Sequence, residues 1–261
     1  MKARTSAISV CICALIFCGV AQATSTVDLR YVSASPAGIA TIRRPWDGTF
    51  HTVYAGQYNL QLDPSYVRAA DPANETNRLY DVANNFMVGT FCADINEDAP
   101  AKPAGDFVTY DIIMPGDAPI GDHNTAMSTD QANALRRLFA NYGSGLDNTS
   151  ATAFALCVWE IVFERTDPIY SVSNGDGEFY ASAANTNAYD LANFWLDAVQ
   201  SSSNVPDIAL RVLANDGYQD FAIVVSDVSE TPPAVPEPIT MLGLLMGVGG
   251  LAGYIRKRKT A

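Results

Sequence analysis

The 261 residues carry 28 acidic against 16 basic side chains, a formal net charge of −12. Six of the basic residues and one of the acidic ones fall in the first 23 and last 27 positions, so the stretch between holds 10 basic against 27 acidic residues, near −17. Such a surface repels phosphate backbones and anionic headgroups, which makes nucleic acid and anionic membrane poor partners for the body and leaves divalent cations or basic partners as the charge-matched options.

Lys2 and Arg4 open the chain, residues 7–20 are apolar, and Ala21-Gln22-Ala23 is a small-residue cleavage site. This order is that of a secretory signal peptide over residues 1–23, handled by the export translocon and signal peptidase and leaving Thr24 as the new N-terminus. Cys11, Cys13 and Cys18 leave with it, so only Cys92 and Cys157 remain. Two cysteines in an exported chain suit a disulfide, which closes a 66-residue loop and stabilises by ~4 kcal/mol in the chain-entropy picture. Two buried free thiols are the other reading.

The body, residues 24–231, is long enough for one good domain. Residues 27–32 predict a short strand and 36–45 a turn-rich strand ending in Arg43-Arg44-Pro45-Trp46. Residues 49–62 alternate through Phe50, Thr52, Tyr54, Tyr58, Leu60 and Leu62, predicting paired strands with a bend near Gly56. Residues 63–77 read as a loop, 81–94 as a strand region, 107–114 as another strand and 116–124 as turns. The period then changes. Ser128 and Gln131 have capping-box spacing, Ala134, Leu135, Leu138, Phe139 and Tyr142 follow at helical intervals, and Gly143 stops the run. A second helix opens at 148–150 and is apolar most of the way round, which places it centrally. A third spans 185–200 with Tyr189, Ala192, Trp195, Leu196 and Val199 inward. Strands over 208–212 and 221–225 close the domain. Strands, then helices, then strands predict an α+β fold, with a barrel-like N-terminal β part and a helical subdomain.

Residues 232–238 are a stiff linker holding Val235-Pro236-Glu237-Pro238; 239–255 are uncharged and apolar; Arg256, Lys257, Arg258 and Lys259 follow within the tail 256–261. A helix of the 17 apolar residues is ~25 Å long, at the short end for a single transmembrane helix, and the basic end orients it with the tail on the cytoplasmic side. The order of motif, span and basic end closely resembles the PEP-CTERM sorting signal of Gram-negative bacteria. The resemblance implies recognition and tail removal by an exosortase, transient anchoring in the inner membrane, and a final place at the cell surface or in an exopolysaccharide-rich biofilm matrix.

Residue types that carry chemistry are sparse. The two histidines, His51 and His123, stand in no metal-ligand spacing, and no nucleophile elbow or phosphate loop is present. Asp94, Asn96 and Asp98 mimic the start of a calcium loop but lack its glycine and closing Glu. Asn174, Asp176 and Glu178 read as a turn. Glu160 and Glu164 have i, i+4 spacing suited to an acid and a base, with an exposed helix edge partnered by Arg165 as the plain reading. Neither cofactor nor metal site is expected. Exposed aromatics, Trp46, Tyr54 and Tyr58, are the candidate ligand contacts, because aromatic rings suit the faces of sugars.

Phe91-Cys92-Ala93-Asp94, taken with the later run from Ala153 to Val162, resembles thioester-type surface domains, in which a strand-end Cys bonds to a Gln on an apolar Trp-Glu-Ile helix. The resemblance places Cys92 at the thioester cysteine and Trp159-Glu160-Ile161 at the helix motif. Ala155 stands where that family has its Gln, and Cys157 where it has Ala. Position 155 therefore cannot supply the acyl group, and Gln57 and Gln131 lie outside the motif. The resemblance then implies a structural Cys92–Cys157 disulfide in place of a reactive bond. The expected protein is exported, non-catalytic and matrix-associated; a covalent thioester adhesin is the alternative, and a polysaccharide hydrolase with an Asp/Glu pair the third reading.

Overall fold

A computed structural model describes residues 25–44, 48–70, 74–100, 106–118, 126–165, 169–173, 177–183 and 186–225. The expected signal peptide with Ala21, Ala23 and Thr24, as well as Trp46, His123, Asn174, Asp176, the sorting motif, the apolar span and the basic end, lie outside them. Among the described residues, no helix is long and apolar enough to cross a membrane.

The first two expected strands are one. β1 (Ser25–Arg43) runs 19 residues and pairs antiparallel with β2 (Phe50–Leu62), from Leu29↔Leu62 to Arg43↔Phe50. Register shifts between Tyr31 and Ser33 and between Ala34 and Ala37 absorb Pro36. A proline at a bulge forfeits no ladder bond, so it need not end the strand. Opposite this bulge, a Cβ on Gly56 would collide with the Pro36 carbonyl and Ala37, which is why a glycine faces Ala37 there.

β3 (Met87–Cys92), β4 (Val108–Ile113), β5 (Tyr180–Ala181), β6 (Leu210–Ala214) and β7 (Phe221–Val224) complete a seven-stranded antiparallel sheet in the order β2-β3-β7-β6-β4-β1-β5. Because β1 also pairs with β2, six of the strands close into a ring and β5 adds to the far end of β1. Val27, Leu29, Leu60, Leu62, Tyr110 and Phe221 belong to the apolar cluster of this barrel, as inward positions of alternating strands should.

β1 and β2 are longer than the ring needs. Their distal halves, residues 37–43 and 50–56, form an arm laid on a helical layer of α2 (Thr129–Tyr142), α3 (Asn148–Phe163) and α4 (Thr186–Ser201). α3 is the axis of this second core: residues 151–163 are all buried. Its N-terminus is closed by a reciprocal capping box between Asp147 and Ser150, and that of α2 by the expected one between Ser128 and Gln131. The expected strand over 81–94 is shorter than read, and residues before it form α1 (Glu75–Val82), capped by Asn74. Thr76, Asn77 and Leu79 face inward, so the helix lacks the apolar period that would announce it.

Candidate functional site

Cys92 ends β3 and is fully buried; its thiol donates to the Asp94 carbonyl at 2.9 Å. Burial pushes this thiol far up, the neighbouring Trp159 indole opposes the shift, and the Asp94 charge adds to it. Cys157 is equally buried; its thiol donates to the Ala192 carbonyl of α4 at 3.4 Å and is pushed up by burial and by Glu160. Both cysteines are free, so the expected disulfide is not formed. The helix explains why. Cys92 stands beside Trp159, and Cys157, two positions earlier, points ~200° away around the axis, toward α4. The position that shares the Trp159 face is Ala155, one turn back. Thiols held this far into the protonated form and out of water are poor nucleophiles.

The two glutamines nearest to the motif are committed elsewhere. Gln131 Nε2 donates to the carbonyls of Ile161, Val162 and Glu164 at 2.8, 3.0 and 3.0 Å. Gln57 is the cross-strand partner of Phe91, so it shares the face opposite to that of Cys92.

Glu160 and Glu164 are not on an exposed edge; both are buried. Glu160 Oε1 accepts the Ser171 N–H at 2.8 Å, and Glu164 Oε2 accepts the Glu178 N–H at 2.7 Å. The pair clamps the chain that returns to β5. Asp94 Oδ1 accepts the Asn96 N–H at 2.8 Å, and the Asp98 carbonyl accepts the Gln219 N–H at 3.2 Å, which ties these loops together. Among the described residues, no group of three His, Cys, Asp or Glu is spaced to hold a metal ion.

Of the candidate ligand contacts, Tyr58 is a packing residue. Its ring lies 5.8 Å from that of Tyr31 and 5.4 Å from that of Phe221, and burial pushes its hydroxyl well up. Tyr54 is 68% exposed. It faces Ile39 across the β1–β2 ladder, and Arg43↔Phe50 lies four residues along on the same face. Ile39 and Phe50 are 58% and 54% exposed. Tyr180, paired with Arg43, carries that guanidinium 5.0 Å from its ring centre and meets Phe50 edge-on at 5.8 Å. Ile39 and Tyr180 escaped the sequence reading; the alternation of Phe50, Thr52 and Tyr54 signalled one strand of the face, but only pairing supplies the other two.

A groove of about 560 Å³ opens elsewhere, between β3 and the C-terminal turn of α2, lined by Gln57, Gly89, Phe91, Phe139, Gly143 and Ile223 among others. The Gln57 side chain crosses Gly89, where a Cβ would collide with its amide. Among the described residues, the side chains that line it include no acid, base or thiol.

A family model of the PEP-CTERM protein-sorting motif matches residues 234–259. No curated protein and no solved structure matches the chain. The motif marks an exported protein sorted at the membrane and processed by an exosortase, as the tail alone had implied.

Proposed function

We propose that this is a non-catalytic surface or extracellular-matrix protein, delivered through the inner membrane by signal peptide and sorting motif, whose folded body associates with exopolysaccharide. The observation that carries the reading is the exposed face of the β1–β2 arm: Ile39, Phe50, Tyr54 and Tyr180 with the Arg43 guanidinium at its end. Aromatic rings with a polar rim suit pyranose faces, and a rigid ladder presents them without an ordering cost. The arm also has the charge for it. Residues 31–62 contain a single acid, Asp47, beside Arg43 and Arg44, within a body near −17, so an anionic polymer meets least repulsion there.

The test is co-sedimentation of the exported protein with the polymer extracted from its own matrix. Phe50→Ala with Tyr54→Ala lowers affinity by about tenfold or more, the scale of truncating exposed aromatic anchors. Melting temperature stays nearly unchanged, since exposed substitutions perturb stability by only ~0.5 kcal/mol. Undiminished binding by the double variant removes the reading.

A further inference from the structure

We propose that the outer edge of β2 pairs antiparallel with the same edge of a second copy, joining two barrels through one continuous sheet. β2 is bonded to β1 along its whole length, but β3 reaches it only over residues 57–61. Over residues 50–56 no strand among the described residues lies on the other side; Ala55 and Gly56 are buried and the Ala55 carbonyl accepts the Thr152 hydroxyl of α3 at 3.1 Å, so the open edge is residues 50–54. Exposed edges of this kind are ordinarily blunted by charge, proline or bulges. Phe50-His51-Thr52-Val53-Tyr54-Ala55-Gly56 has no Lys, Arg, Asp, Glu or Pro, and the register shifts of the β1–β2 ladder leave residues 50–55 regular, the nearer one reaching only Gly56. It is rich in aromatic and β-branched residues, which favour strand pairing.

Two features select a second copy as the occupant. The first is self-complementarity. A two-fold axis at Thr52 sets Thr52 against Thr52 of the other copy and Phe50 against Tyr54, twice. Thr–Thr and aromatic–aromatic are among the favourable cross-strand pairs, and a closed two-fold contact uses one patch on both molecules. The second is charge. Two bodies near −17 repel over most of their surfaces, and the arm, with Asp47 as its single acid between residues 31 and 62, is where like can meet like. The pairing stands apart from the polysaccharide reading, although it would double the length of the aromatic face.

The experiment is sedimentation velocity of the exported, processed protein across a concentration series, with no polysaccharide present. A reversible dimer is expected, with slowed amide exchange over residues 50–54 as concentration rises. Thr52→Lys, an exposed position that sets two ammonium groups opposite each other at the axis, weakens the dimer at least about tenfold. Ile39→Lys, on the same face but on the inner strand, leaves the dimer in place. A monomer at every concentration overturns the proposal, as does a dimer indifferent to Thr52→Lys. Loss of the dimer in Ile39→Lys alone assigns the contact to the face and overturns edge pairing; so does protection of residues 50–54 that appears only when polymer is added.

Discussion

Asp220 sits where the turn after β3 meets the turn between β6 and β7. Its carbonyl accepts the Ala93 N–H at 2.8 Å and its Oδ1 accepts the Asn215 N–H at 2.9 Å. Burial pushes its carboxyl up to about 8; the Asn215 bond works against this, and Asp94, Glu97 and Asp216 add to it. The sign of the consequence follows from proton counting. Between the ordinary value of 3.8 and about 8, the folded state holds a proton that the unfolded chain has released, so this group's contribution to stability falls as pH rises through that window. Asp220→Asn keeps an oxygen for Asn215 and never ionises. We expect the variant to be more stable than the parent at pH 8, nearly equal to it at pH 4, and to lose less melting temperature in between. Parallel melting curves for the two proteins over that range would place the titration on another carboxylate.

At the scale of elements, one amide joins two helices. Gln131 Oε1 accepts the Ser128 N–H at 2.8 Å, starting α2, while its Nε2 takes three carbonyls at the end of α3. Helix ends leave such carbonyls unpaired, and here they are buried. Gln131→Ala is expected to cost about 2 kcal/mol in urea unfolding, and Ser128→Ala about 1. Equal losses would mean that the capping box alone matters. Only the first half of this arrangement was legible: the spacing from Ser128 to Gln131 announces a cap, but nothing in it says that α3 ends above. The same limit recurs. The central place of α3 follows from its uninterrupted apolar surface. The burial of Glu160 and Glu164 does not, because i, i+4 spacing fixes a shared face and not what covers it. Cys92 and Cys157 are free for that reason too: their types suggested a bond, but the helix turns Cys157 toward α4 while Cys92 stands beside Trp159. α1 was missed because its inward face is mostly polar and rests on Glu75, whose carboxylate binds Arg211 of β6 at 3.0 Å, across 136 residues.

For the whole molecule, local alternation yields strands but not their order. The ring closes through Cys92↔Phe221 and Val27↔Tyr110, contacts between segments far apart in the chain that no short pattern encodes. The sorting motif was legible as a label apart from the folded body, since such tails are read as linear sequence by the machinery that handles them. That division has a mechanical consequence. Among the described residues the last strand ends at Val224, and the sorting motif begins at residue 234, so cutting within the motif removes none of the seven strands and leaves the arm intact. Intact-mass mapping of the exported protein is therefore expected to find a C-terminus near residues 236–238, with the apolar span and Arg256–Lys259 gone, and to find the uncut form held in the inner-membrane fraction when the exosortase is deleted. Full-length chains ending at Ala261 in the outer fraction would contradict processing and leave a plain anchor in its place. A cut upstream of residue 221 would contradict the separation of label from body, because it would take β7 away and open the ring between β3 and β6.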